Sequence, residues 1–150
     1  MDSILTEPPA SNPGPAPSLE PIAMLALDAG RMLMEAGAGA KAVERMVKDF
    51  AGGLGSERVD LRIGYASLAI TIGIGPNGIT RMRKVGHLGV NQRLDQELRH
   101  LANSVANREL SLEQARSELE RIAVKTPRHS TLVMAIAVGL ACAAFGRLLK

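Results

Sequence analysis

The alternation of apolar and polar positions divides the chain into a mixed domain and an apolar carboxyl-terminal segment. Apolar residues recur at helical spacing over residues 18–36 and 43–50, which predicts two helices. The period then falls to two over residues 59–65 and 68–74, which predicts two strands with one apolar face each. A Gly-Pro-Asn-Gly turn follows, and residues 79–85 are predicted to form a third strand.

Two more helices are predicted after the strands. Leucines and smaller apolar residues recur at helical spacing over residues 94–105. Ser111 and Gln114 form a capping-box sequence that opens the next helix, and Pro127 ends that helix. The predicted fold class is therefore α+β, with two N-terminal helices, a three-stranded antiparallel meander, two helices and then the apolar segment.

The apolar segment, residues 130–146, contains no charged residue. A helix of this length measures roughly 25 Å, close to the hydrocarbon thickness of a bilayer, so the sequence predicts one transmembrane helix over residues 128–150. Ala135, Gly139 and Ala143 recur every four residues and would give this helix a smooth face for packing against another membrane helix. The alternative is a buried hairpin helix within a soluble domain.

The rest of the sequence sets the expected domain boundaries and location. Residues 1–17 are rich in proline and are predicted to be a disordered tail, and residues 18–127 are predicted to be the α+β domain. The first residues contain no basic region followed by an apolar stretch, so no secretory signal is predicted. We therefore expect the α+β domain to be cytoplasmic and the chain to be located at the inner (plasma) membrane.

Composition argues against several classes of function. Aromatic residues make up 2% of the chain and the formal charge is +3, so few side chains could stack on bases and no nucleic-acid partner is expected. The histidines, His87, His100 and His129, lack ligand spacing and Cys142 is the single cysteine, so no metal site and no cofactor are expected. Residues 73–78 match the pattern G-x-G-x-x-G, but a strand is predicted after them, which favours a hairpin turn.

Polar residues offer few candidates for catalysis. The sequence contains no G-x-S-x-G motif and no catalytic residue is identified, so we expect the chain not to be an enzyme, and a hydrolase is kept as a third hypothesis. Asp28, Glu35 and Glu44 could meet across the first two helices but are predicted to face water. A basic patch near the third strand is either a solvated sheet edge or a contact for anions, and its members are Arg81, Arg83, Lys84, His87 and Arg93.

Four segments carry a resemblance to a known family. They are LMEAGAGAKAVERM (residues 33–46), RKVGHLGVN (83–91), LSLEQARSELERI (110–122) and PRHSTLVMAIAVGLACAAFGRLL (127–149). In this order they resemble the N-terminal region of the threonine/serine exporter family, which includes paired-subunit exporters of small dicarboxylates such as succinate. The resemblance extends from about Ser18 to the last residue.

The resemblance implies a cytoplasmic soluble domain followed by several membrane helices, and a function as a secondary exporter of small amino acids or dicarboxylates. The expected partners are membrane lipids, further transporter helices or a partner membrane subunit, and the solute. The face formed by Ala135, Gly139 and Ala143 could also join two copies of the chain in a homo-oligomer. By this likeness the family-motif positions are Glu35, Gly37, Ala38, Glu44, Gly89, Asn91, Pro127 and Gly139. Arg81, Arg83 and Asn91 are the candidate contacts for an anionic or zwitterionic solute, because charge-assisted donors suit carboxylates.

The sequence ends at Lys150, after the first predicted membrane helix. Because one helix cannot enclose a polar path across a bilayer, we expect transport to require further membrane helices that are absent from this chain. The main hypothesis is therefore the N-terminal domain of a threonine/serine exporter-like transporter. The alternative is a membrane-anchored interaction or assembly module without transport activity of its own.

Overall fold

A computed structural model describes residues 18–125 and 131–148 of the chain. The predicted tail over residues 1–17 and the predicted helix end at Pro127 lie outside the described residues. The described part confirms the α+β class and the predicted order of helices and strands. Its elements are α1 (Leu19–Glu35), α2 (Ala40–Gly53), β1 (Arg58–Ile63), β2 (Ser67–Ile74), β3 (Asn77–Lys84), α3 (Gln92–Ala106), α4 (Leu112–Lys125) and α5 (Thr131–Leu148).

The three strands form an antiparallel sheet in the order β1-β2-β3, as the sequence predicts. The β2–β3 connection is a hairpin turn that contains Gly75, whose φ of +54° favours glycine. The Gly75 N–H donates to the Glu57 carboxylate over 2.8 Å, and Arg58 donates to the Gly75 carbonyl over 2.6 Å. Two side chains of the protein itself are therefore hydrogen-bonded to the turn backbone at the place where a nucleotide phosphate would need to bind. The hairpin interpretation of residues 73–78 is confirmed.

Helix α1 lies at the centre of the domain and packs against α2, α3, α4, β2 and β3. Small residues allow this close packing: a Cβ atom added to Gly30 would lie 2.5 Å from Cγ2 of Val47 on α2. The core is almost wholly aliphatic, as the composition suggests, with Phe50 as its one aromatic side chain among the described residues. The largest fully buried side chains are Phe50, Ile22, Leu27, Leu33, Leu68, Ile70, Ile72, Leu98, Val43, Val47 and Val105.

The capping box predicted at the start of the fourth helix is confirmed. Ser111 and Gln114 form the predicted capping box, in which Gln114 N–H donates to Ser111 Oγ over 3.3 Å and Ser111 N–H donates to Gln114 Oε1 over 2.8 Å. Ser18 stands at the N-cap of α1 but its side chain makes no capping hydrogen bond.

Helix α5 differs from both structures predicted for the apolar segment. All side chains from Ala135 to Arg147 are exposed, including Leu140 at 68% and Phe145 at 72%, so the hypothesis of a buried hairpin helix is wrong. Across residues 18–125 and 131–148 the structure offers no helix whose length and apolar character suffice to traverse a bilayer. The predicted transmembrane helix over residues 128–150 is therefore not supported.

Candidate functional site

Glu35, the last residue of α1, is buried, with 8% of its surface exposed. Its Oε1 atom accepts a hydrogen bond of 2.7 Å from the Gly86 N–H, and both carboxylate oxygens accept from Arg31 over 3.1 to 3.2 Å. The prediction that Glu35 faces water is wrong, because the segment that follows β3 covers the end of α1. The carboxylate thus accepts hydrogen bonds from a backbone N–H and from a guanidinium at the junction between the end of α1 and the segment after β3.

Backbone hydrogen bonds fasten the same segment to the end of α1. The Gly89 N–H donates to the Glu35 carbonyl over 2.9 Å, and the Asn91 N–H donates to the Ala36 carbonyl over 3.0 Å. Gly37 has a φ of +96°, and a Cβ atom added there would lie 2.5 Å from the Gly89 carbonyl oxygen. The Glu-x-Gly step and the Gly-Val-Asn step of the family motif therefore meet in space and hold residues 85–91 in place.

Alternating charges continue from this junction along α1 to β3. Arg31 Nε lies 3.7 Å from Oδ1 of Asp28, and Arg83 Nε on β3 lies 3.2 Å from the same oxygen. The Arg83 Nε atom is buried without a hydrogen-bond partner, so this contact is electrostatic, whereas Arg83 Nη2 donates to Asp28 Oδ2 over 3.2 Å. The result is a charged row, Arg83–Asp28–Arg31–Glu35, at the α1–β3 contact.

An open cleft of about 550 Å³ lies beside this charged row, between α1, the end of β3 and α4. We call it the α1–α4 cleft, and its lining residues are Asp28, Arg31, Met32, Arg83, Lys84, Leu119, Glu120 and Ala123. Its volume falls within the range of small-molecule sites. Three cations in the lining suit a carboxylate and two carboxylates suit an ammonium group, while Met32 and Leu119 offer apolar surface to a short side chain.

Of the three predicted solute contacts, Arg81, Arg83 and Asn91, one belongs to the lining of the cleft. Arg83 lines the α1–α4 cleft. Arg81 instead pairs with Glu20 in the first turn of α1, with its Nε 2.8 Å from Glu20 Oε1. This hydrogen bond lowers the pKa of the Glu20 carboxyl and raises the pKa of the Arg81 guanidinium. Asn91 caps α3, where its Oδ1 accepts from the Leu94 N–H over 3.0 Å.

Three further family-motif positions, Glu44, Ala38 and Gly139, are absent from the lining of the cleft. Glu44 forms an i,i+4 pair with Lys48 on the exposed face of α2, with 2.7 Å between Oε1 and Nζ. Ala38 packs partly buried beside the core. Ala135, Gly139 and Ala143 are exposed on α5, and their role in helix packing stays a prediction.

Sequence reasoning missed much of the cleft lining, namely Asp28, Arg31, Lys84 and Glu120 as members of one site. A signal was available: α1 carries opposite charges at spacings of three and four residues, and Arg81 and Arg83 alternate with exposed positions on β3. Those alternating arginines face α1 and pair with its carboxylates. No group of three His, Cys, Asp or Glu side chains within residues 18–125 and 131–148 could hold a metal ion.

Comparison with known proteins places this geometry in a family. The model of the threonine/serine exporter family, ThrE, matches residues 24–150, a range that includes the cleft, the junction at Glu35 and α5. Searches of curated proteins and of solved structures gave no match. Because the family model matches well over half of the chain, the protein belongs to the threonine/serine exporter family.

Proposed function

We propose that this chain is the extramembrane, cytoplasmic domain of a threonine/serine exporter-like transporter and that the α1–α4 cleft receives the exported solute. Membership of the exporter family supports the transport role. The observation that carries the proposal is the mixed charge of the cleft, whose lining includes Arg83 and Lys84 as well as Asp28 and Glu120. A small amino acid is a zwitterion and needs both kinds of partner, which makes serine or threonine the best-matched solute.

A dicarboxylate such as succinate is the second solute class for the same cleft, because the lining contains three cations and two carboxylates. The two classes differ in their need for Glu120, which would face the ammonium group of an amino acid and repel a second carboxylate. In either case the domain binds and releases the solute without covalent chemistry, so we propose no enzymatic activity.

Helix α5 joins this domain to the membrane-embedded part of the exporter in our proposal. Its apolar side chains, such as Ile136, Val138 and Leu140, are more than half exposed, and such a surface favours lipid or other apolar helices over water. One helix cannot enclose a polar path, so export requires further membrane helices from the same polypeptide or from a partner subunit.

The cleft is tested with labelled solutes preloaded into cells that lack the encoding gene and receive it back in variant form. We expect the double variant Lys84→Gln/Glu120→Gln to lower serine efflux about tenfold, because each lost charge-assisted contact weakens binding. The matched control, Glu113→Gln/Lys125→Gln, removes the same charges from exposed α4 positions outside the cleft and should keep full efflux.

The single variant Glu120→Gln separates the solute classes. If the cleft takes amino acids, this variant lowers serine efflux, because the partner of the ammonium group is lost. If the cleft takes dicarboxylates, it raises succinate efflux and leaves serine efflux unchanged, because a repulsive charge is removed. Full serine and succinate efflux by the double variant would contradict a role for the cleft.

The assembly module is retained as a second function because Ala135, Gly139 and Ala143 share one exposed face of α5. If assembly is the whole function, Gly139→Leu should abolish oligomers in detergent while gene deletion leaves efflux unchanged. Val138→Leu, at the neighbouring position, is the size control and should keep the oligomer.

A further inference from the structure

A second cleft lies between α2 and α3 and shares no lining residue with the α1–α4 cleft. We call it the α2–α3 cleft, with a volume of about 400 Å³ and a lining of Lys41, Ala42, Arg45, Met46, Asp49, Arg99, Ala102 and Asn103. Three of these side chains are cations and one is a carboxylate. The lining of the α2–α3 cleft therefore carries a more positive net charge than the lining of the α1–α4 cleft.

The cations of the α2–α3 cleft are incompletely neutralised. Arg99 pairs with Asp95 through contacts of 2.7 and 3.0 Å. Within the described part of the chain, Lys41 and Arg45 take part in no side-chain hydrogen bond or ion pair. Even if Asp49 balanced one of them, one positive charge at the cleft would remain uncompensated.

The cations of the α2–α3 cleft repel one another. Lys41 and Arg45 are four residues apart on one face of α2, and like charges at this spacing destabilise a helix. Arg99 adds a third cation from the facing helix. An anion between the helices would replace this repulsion with charge-assisted hydrogen bonds, and the side-chain amide of Asn103 could donate another.

We propose that the α2–α3 cleft binds a small divalent oxyanion through Lys41, Arg45 and Arg99. The shared chemistry is two negative charges on closely spaced oxygens, which a phosphate and a short dicarboxylate both supply. Lys41 contributes a compact positive charge, and the planar guanidinium of Arg45 can donate two hydrogen bonds to neighbouring oxygens. The anion links α2 to α3 through residues that do not line the α1–α4 cleft. This inference therefore does not depend on the proposed export function.

The test is calorimetric titration of the full chain in detergent micelles with inorganic phosphate and with succinate, and with acetate as a monovalent control. We expect at least one divalent anion to bind saturably with a Kd below about 10 mM, and acetate to bind at least about tenfold more weakly. The double variant Lys41→Gln/Arg45→Gln should raise the Kd of that anion at least about tenfold.

The control variant Arg116→Gln/Lys125→Gln removes two exposed cations from α4 and should keep the wild-type Kd. Saturable binding of phosphate alone or of succinate alone identifies the source of the dianion and supports the site in either case. Absence of saturation with both anions, equal binding of acetate, or an equal loss in the control variant would overturn the proposal. Because both variants change exposed side chains, their far-UV circular dichroism should match that of the wild type.

Discussion

Glu35 is the residue on which the junction between α1 and the segment after β3 depends most. The variant Glu35→Ala removes the acceptor for the Gly86 N–H and the partner of Arg31 in a buried setting. We expect the free energy of unfolding to fall by about 1–3 kcal/mol, the usual cost of leaving a buried donor unsatisfied.

Glu44→Ala is the matched control, because Glu44 is an i,i+4 partner of Lys48 on an exposed helix face. It should cost less than about 0.5 kcal/mol. Denaturant unfolding of both variants in the same detergent measures the difference, and equal costs would show that the Glu35 contacts contribute little.

Gly37 provides a second prediction at the residue scale. Its φ of +96° and the 2.5 Å approach of the Gly89 carbonyl to an added Cβ leave no room for a side chain. We expect Gly37→Ala to lower the free energy of unfolding by about 1–3 kcal/mol through backbone strain and displacement of the neighbouring segment.

Gly52→Ala tests whether that cost is specific to the position. Gly52 lies inside α2 with no atom within 4 Å of an added Cβ, so alanine should stabilise the helix by about 0.5–1 kcal/mol. Thermal unfolding of both variants checks this, and a stabilised Gly37→Ala protein would contradict the packing described at the junction.

At the scale of elements, two ion pairs join β3 to α1 across long stretches of sequence. Arg81 pairs with Glu20 and Arg83 pairs with Asp28, at separations of 61 and 55 residues. Together they fix how the edge strand lies along the central helix, which also sets the position of Arg83 and Lys84 at the cleft.

The Glu20–Arg81 pair predicts a pH dependence with a definite sign. The hydrogen bond from Arg81 lowers the pKa of Glu20 in the folded state below its ordinary value of 4.5. A carboxyl with a depressed folded pKa stabilises the fold above its unfolded pKa, and this contribution is lost as the pH falls through the folded pKa. The stability difference between wild type and Arg81→Gln should therefore be largest at neutral pH and shrink in acid.

Denaturation midpoints of wild type and Arg81→Gln at pH 7 and at pH 3 test this. Arg116→Gln serves as the control, because Arg116 is exposed and forms no ion pair in the part of the chain that the structure describes. Its midpoint should follow that of the wild type at both pH values. A difference for Arg81→Gln that persists undiminished at pH 3 would contradict the pairing.

Local patterns predicted the elements well, because each depends on nearby residues. The helical spacing of Leu94, Leu98 and Leu101, and the Ser111–Gln114 capping box, both appear in the structure as predicted. The burial of Glu35 could not be predicted in the same way, since it depends on Gly86, which is 51 residues away.

For the candidate site too, single residues could be predicted from the sequence, whereas the way distant segments pack together could not. The sequence identified Arg83 as a candidate contact, and the structure places it in the cleft. Asn91 was predicted to contact the solute through its side-chain donors, but its side-chain oxygen, Oδ1, caps α3. This capping role becomes clear only once the helix is known to start at Gln92. The cleft itself depends on how α4 packs against α1, which no sequence period specifies.

At the scale of the whole molecule, α5 presents an exposed apolar surface, whereas the α+β domain buries its own apolar residues. We expect the intact chain to float with lipid vesicles in a density gradient and a chain truncated before Thr131 to stay in the soluble fraction. Truncation should leave the unfolding midpoint of the domain nearly unchanged, because the side chains from Ala135 to Arg147 are exposed. An intact chain that stays monomeric and soluble without detergent or lipid would contradict this role of α5.

The family match, the mixed-charge cleft and α5 together support export of a small amino acid as the central claim. The most direct test is the efflux rate of labelled serine from preloaded cells that carry the gene, lack it, or have it restored. The account predicts that efflux falls when the gene is deleted and recovers when the intact gene is returned. Equal efflux of serine, threonine and succinate with and without the gene would contradict it.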